Sequence, residues 1–154
     1  MTPAELVLIV AAATEGATEI GNNAGPYVER VLRRTGLGKG NPWCAAYVAD
    51  VGRIALQERW PLPMTASCYQ LGAFAAAKDA LTVTAAAGDV FLVYFPKLGR
   101  FAHAGFVTAV RADGRLETIE GNTNDGGSRE GWGVFRRVRT LGAHDRCIRW
   151  TGLL

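Results

Sequence analysis

The 154 residues contain only three cysteines and two histidines, the side chains most often recruited for nucleophilic or metal chemistry. Cysteine this sparse excludes a disulfide-scaffold protein. Three thiols, Cys44, Cys68 and Cys147, cannot all pair with one another, and their spacing lacks the C-x-x-C signature of a zinc site. No apolar run approaches the ~18–20 residues that a membrane-spanning helix needs. The short apolar stretch 6–13 (LVLIVAAA) has no basic lead-in, because residues 1–5 (MTPAE) carry an acid and neither Lys nor Arg. It therefore reads as a core helix rather than a signal peptide, and any export would rest on something else. No Gly-Lys-Ser/Thr follows Gly126-Gly127, so no phosphate-binding loop is expected there. With no repeat, low-complexity tract or linker, residues 1–154 are expected to form a single domain.

What is present is a globular composition, 49% hydrophobic against 20% charged, which excludes a disordered chain. A chain of this size buries roughly 68–70% of its unfolded surface, so folding calls for no metal or disulfide. The net charge of +3 is weighted late, towards Arg129, Arg136, Arg137, Arg139, Arg146 and Arg149. Such a patch would suit an anionic partner, cell wall or nucleic acid. No nucleic-acid-reading motif accompanies it, and the simpler expectation is an alternating strand with an Arg-rich outer face.

The first half has helical spacing. Thr2 and Pro3 make an N-cap and a first helical residue, and Glu5 completes a capping box for a helix ending near residue 13. A Gly/Asn-rich loop spans 15–25. Tyr27, Val28, Val31 and Leu32 then recur at helical spacing from Pro26 until GLGKG at 36–40. A further helix is expected over 41–56, with Asn41 as cap, Pro42 as first residue and Tyr47, Val48, Val51, Ile54 and Ala55 on its buried face. In the second half the period changes. Segments 89–95, 102–110, 115–120 and 132–139 are β-branched and aromatic, and 147–150 offers a last strand. Asp113-Gly114 is a strong hairpin signal, and 121–133 is expected to be a loop inside the sheet region. Helices followed by antiparallel strands predict an α+β domain with helices packed on one side of the sheet.

The chemistry centres on Cys44. In the first turn of a helix a thiol sits among unpaired N–H groups at the dipole's positive end, which favours the nucleophilic thiolate. The same N–H groups can stabilise an oxyanion. Most free cysteines are simply small buried hydrophobes, so position alone does not decide the matter. His103 stands in a strand-like run (FAHAGFVTAV), whereas His144 follows Gly142-Ala143 in a loop and is expected to be solvated. A two-residue turn at Asp113-Gly114 would pair Ala112 with Arg115, Val107 with Glu120 and Gly105 with Asn122. His103, Glu120 and Asn122 then share one face, with Asn122 diagonal to the imidazole and Glu120 one pair further away. Either could orient the ring, a bulge or strong twist being needed for Glu120, whereas an odd shift of register would move both to the wrong face. A thiol, a base and an orienting polar group make the constellation of a cysteine hydrolase. Cys68 and Cys147 are expected as core or strand thiols, and Trp43, Tyr69 and Trp132 are candidates for lining a substrate groove.

Asn41-Pro42-Trp43-Cys44-Ala45-Ala46-Tyr47-Val48, then Gly88-Asp89-Val90, His103-Ala-Gly-Phe-Val and Ile119-Glu120-Gly121-Asn122 resemble the CHAP domain. This is the cysteine- and histidine-dependent amidohydrolase/peptidase family of bacterial and phage cell-wall hydrolases. The resemblance extends over roughly residues 14–140. It implies a papain-like α+β fold and cleavage of an amide bond in peptidoglycan, by amidase or endopeptidase action. Cys44 is then the nucleophile, His103 the base, Glu120 the third member and Asn122 an accessory polar residue. Trp43 stands where relatives often carry Gln or Tyr, which leaves the Cys44 backbone as the oxyanion donor. The chain lacks the alternating Asp/Asn loop of a calcium site, so neither metal nor cofactor is expected. The partners implied are peptidoglycan stem or bridge peptides, with an immunity or inhibitor protein if the domain serves as a toxin. No nucleic acid or membrane partner is expected, and the domain should be a monomer. The site of action would be the wall, periplasmic or extracellular, reached by a holin, a phage tail or specialised secretion, or after cytoplasmic storage. The alternative is a catalytically silent wall-binding or structural module of the same fold.

Overall fold

Thr2 begins the first helix as the sequence predicts: its hydroxyl accepts the Glu5 N–H while Glu5 accepts the Thr2 N–H. The computed structural model describes residues 1–123 and 131–154. Arg129 and Gly126-Gly127 fall outside the described residues. Four helices, α1 (Pro3–Ala13), α2 (Pro26–Arg34), α3 (Cys44–Leu56) and α4 (Cys68–Ala77), precede most of the sheet. The strands are β1 (Leu81–Thr82), β2 (Val90–Phe95), β3 (Arg100–Val110), β4 (Leu116–Thr123), β5 (Gly133–Arg139) and β6 (Arg146–Ile148). They form one antiparallel sheet in the order β1-β6-β2-β3-β4-β5. The α+β expectation holds. Among the described residues no helix is long and apolar enough to cross a membrane.

Helix α3 is the hub. It packs on α1 and α2 and against β3 and β4, and every residue from Cys44 to Gly52 is buried. Ala45, Ala46 and Ala49 keep the helix slim enough for that close approach. Asp50, fully buried, is matched by Arg30 and Arg34 of α2 at 3.0 and 3.1 Å. Ile54, expected inside, is 43% exposed, because over the last turn the buried contacts are made by Gly52, against the Trp60 ring, and by Leu56.

The helix also starts later than its sequence suggests. Asn41 spends its side chain on the Gly38 carbonyl, Pro42 lies outside, and Trp43 is the N-cap without a side-chain cap bond. Cys44 is therefore the first helical residue. Helix α4 and strand β1 have no counterpart in the sequence reading. The Ala/Gly-rich α4 has little amphipathic contrast, although Ser67-x-x-Gln70 is a capping signature, and the Ser67 hydroxyl accepts the Gln70 N–H.

The hairpin register differs as well. Arg111 N–H bonds the Arg115 carbonyl across a three-residue turn, in which Gly114 adopts a left-handed φ of 86°. Thr108 then bulges, so that Val107 faces Thr118 and Phe106 faces Ile119. Each irregularity shifts pairing by one residue. Two odd shifts make an even one, so the predicted face survives while Glu120 slides alongside Gly105. Strand β4 continues through Gly121–Thr123, which shortens the expected 121–133 loop.

Candidate active site

His103 lies on β3, 1% exposed, and its Nε2 is 2.7 Å from Oε1 of Glu120 on β4. The approach depends on Gly105. A Cβ there would stand 2.9 Å from Glu120 Cγ and 2.7 Å from the Phe91 ring, so the missing side chain is the space that Glu120 fills. Glu120 thus stands beside Gly105, where the expected register had placed Asn122. Thr118 Oγ1 and Arg139 also bond the same carboxylate, Arg139 through Nε and Nη2. Burial would push the Glu120 carboxyl up, but the hydrogen bonds from Arg139 and His103 outweigh it and hold it at about 2. Glu120 is a fixed anion.

Cys44, at the start of α3, interacts electrostatically with the His103 imidazole, and its sulfur also lies 4.0 Å from the Ala102 carbonyl of β3. Nε2 is committed to Glu120, while Nδ1, the ring atom left for the thiol, makes no hydrogen bond among the described residues. Cys68, the first residue of α4, places its sulfur 3.6 Å from that of Cys44. The Cys68 thiol lowers the Cys44 pKa most; burial opposes it, and His103 and the Ala104 backbone lower it further. For His103, burial favours the neutral ring, yet Cys44 and Glu120 overcome it and raise the imidazole to about 9. The two shifts run in the same sense, each favouring the charged form of its group beside the Glu120 carboxylate.

Cys44 and Cys68 open onto a cleft of about 590 Å³. Its walls come from the loop before α3 (Leu37, Asn41, Pro42), the start of α4 with its lead-in (Met64, Ser67, Tyr69) and β3 (Arg100, Ala102). Among the residues lining it, Arg100 carries the single full positive charge and there is no acid. His103 and Glu120 lie behind the sulfur, shielded from solvent. A separate groove of about 420 Å³ over β3–β5, edged by Thr108, Glu117 and Arg137, has neither cysteine nor histidine among its described lining residues.

The structure thus brings Cys44, His103 and Glu120 together. Asn122 is buried at a β4 bulge with a left-handed φ of 57° and makes no hydrogen bond to the ring. Of the expected groove aromatics only Tyr69 lines the cleft. Trp43 is buried with its indole N–H on Glu19, and Trp132 packs on Phe135. His144 is exposed beside Tyr94, as expected. Cys147 is buried on β6, away from Cys68. The late arginines are committed within the fold: Arg139 to Glu120, Arg136 to Glu15 and Arg149 to Asp89. Arg139, expected on an outer face, instead turns its guanidinium over Phe91 towards the buried acid. Sequence reasoning missed Arg139, Thr118, Cys68 and Arg100. Of these only Thr118, two residues from Glu120 on the same strand face, left a local signal. Among the described residues no group of three or more His, Cys, Asp or Glu stands as a metal cage.

A family model for the CHAP domain matches residues 36–122, which include all four predicted site residues. Two solved structures share the fold. "The crystal structure of Ly7917" superposes with a TM-score of 0.55 at 18% identity, covering 96% of this chain and 62% of that one. "The crystal structure of Ly7917 with the hydrolyzing product of MDP" gives 0.54 at 17% identity, over 94% and 62%. The chain therefore spans 62% of the length of the structures it matches. No curated protein matches it.

Proposed function

The chain belongs to the CHAP domain family, and from that premise we propose that residues 1–154 act as a catalytic domain hydrolysing an amide bond of peptidoglycan. The observation that carries the proposal is the Cys44–His103–Glu120 relay at the wall of an open cleft, with His103 Nε2 held 2.7 Å from Glu120. The solved neighbour bound to the hydrolyzing product of MDP supports the substrate class.

In this mechanism the Cys44 thiolate attacks the scissile carbonyl, and the oxyanion is met by the N–H groups at the uncapped start of α3. His103 gives its Nδ1 proton to the leaving amine, which leaves a thioester on Cys44. A water then gives a proton back to Nδ1 as its oxygen attacks the thioester. The second product is released and the thiolate regenerated. Glu120 keeps the ring oriented and stabilises its cationic form. Asn122 serves as an accessory polar residue that shapes the β4 bulge. Arg100 gives the cleft a positive end that complements the free carboxylates of stem peptides. Action at the wall follows from this substrate, either as an amidase at the muramic acid junction or as an endopeptidase within the peptides.

The test is clearing of purified sacculi by wild type and Cys44→Ala, with folding of both checked by circular dichroism. Loss of clearing by more than about 10³-fold is expected, as for removal of other covalent nucleophiles. Equal clearing would refute the mechanism. Mass spectrometry of the released fragments names the bond. Binding to sacculi without any cleavage by wild type would favour the silent wall-binding module.

A further inference from the structure

Two thiols meet where the proposed mechanism uses one. Cys44 and Cys68 are the first residues of α3 and α4, so two helix N-termini converge on a sulfur pair 3.6 Å apart. Both sulfurs open onto the same cleft, although each residue is over nine-tenths buried. A disulfide requires about 2.05 Å between sulfurs, so closing the pair means an approach of roughly 1.5 Å. Rotation of the two side chains about their Cα–Cβ bonds changes sulfur positions on that scale. Cys147, buried in β6, lies away from the cleft and serves as an internal control.

We propose that Cys68 is the resolving thiol of Cys44: a small disulfide entering the cleft converts the pair into a Cys44–Cys68 disulfide, which silences the nucleophile until a thiol reductant restores it. The Cys44 thiolate attacks one sulfur of the disulfide RS–SR, forming Cys44–S–S–R and releasing RS⁻. Cys68 passes its proton to that RS⁻. Its thiolate then attacks the Cys44 sulfur and expels the second RS⁻. Two protein thiols are oxidised, and one small disulfide is reduced to two thiols. The lowered pKa of Cys44 makes it the first attacker, and proximity makes Cys68 the second. Oxidised glutathione supplies the co-reactant class, and dithiothreitol reverses the change.

The loss of activity rests on Cys44 being the nucleophile, whereas the cross-link is scored by mass alone. The full chain is incubated with oxidised glutathione, alkylated, digested without reduction and mapped by mass spectrometry. A Cys44–Cys68 cross-link is expected, with the protein lighter by two hydrogens, Cys147 still alkylated, and sacculus clearing lost and then recovered with dithiothreitol. Cys68→Ser should instead accumulate the glutathione adduct on Cys44. The proposal is overturned if wild type keeps that adduct with Cys68 alkylatable, if the cross-link involves Cys147, or if the cross-linked protein still clears sacculi. A reduced protein that forms the cross-link on oxidation yet never clears sacculi overturns the hydrolase reading and leaves the thiol pair standing.

Discussion

Arg139 grips Glu120 with two hydrogen bonds, Nε to Oε2 at 2.5 Å and Nη2 to Oε1 at 2.7 Å, while His103 takes the same carboxylate at 2.7 Å. Glu120 is fully buried and Arg139 partly so, its side chain 16% exposed. A charge so placed is sustained only by its partners, and removing one leaves the other uncompensated. The acid that orients the imidazole is thus held from behind by a cation of β5.

Replacing Arg139 by Met should lower unfolding free energy by about 3–5 kcal/mol, read from urea denaturation, because the Glu120 carboxylate loses its main counter-charge. Glu120→Gln should instead act chiefly on turnover, lowering kcat by about 10²–10⁴-fold as the ring loses its charged partner. A Glu120→Gln enzyme with wild-type kcat on sacculi would remove the acid from the mechanism.

The pH behaviour follows from the shifted groups. Glu120, held at about 2 against an ordinary 4.5, contributes stability that is complete above pH 4.5 and disappears as pH falls through 2. His103, raised to about 9 from 6.5, contributes stability that is complete below pH 6.5 and disappears as pH rises through 9. In kcat/KM the acid limb should report protonation of the Cys44 thiolate, below the ordinary thiol range. The alkaline limb should fall near pH 9 as the imidazolium loses the proton meant for the leaving amine. A profile whose alkaline limb lies near the ordinary imidazole value would show that the ion pair does not form.

Gly105→Ala tests the close approach of the strands. The added methyl would press on Phe91 and Glu120 Cγ at under 3 Å. Overpacking of this kind costs about 1–3 kcal/mol. Because the relief available is to push Glu120 off His103, clearing should fall at least about tenfold even at temperatures where the variant is folded. Wild-type stability together with wild-type clearing would mean that the space is not needed.

Arg100→Ala should raise KM for a carboxylate-bearing stem peptide about tenfold while kcat stays within about twofold, the pattern of a lost charged binding contact. Arg100→Lys should recover part of the loss. An unchanged KM would place substrate carboxylates elsewhere in the cleft.

The elements that were legible in the sequence are those set by neighbours along the chain. Thr2, Pro3 and Glu5 announce α1 because a capping box closes within four residues. Gly36 ends α2 and the alternation of 102–110 marks β3 for equally local reasons. Cys44 and His103 stand out because thiol and imidazole are scarce and each sits in a characteristic local setting. The start of α3 was misplaced because Asn41 turned its side chain back to Gly38 instead of forward to the helix.

Local pattern thus determined the α+β class, most of the element order and the identities of the nucleophile, base and acid as candidates. Only the tertiary structure chose Glu120 over Asn122 as the ring's partner. The choice depended on two single-residue offsets, the turn at Gly114 and the bulge at Thr108, whose parities cancel. Only the tertiary structure set Arg139 behind Glu120 and Cys68 beside Cys44. Those meetings join residues 19 and 24 positions apart on different elements. They are fixed by the packing of whole helices and strands, which no short window of sequence contains.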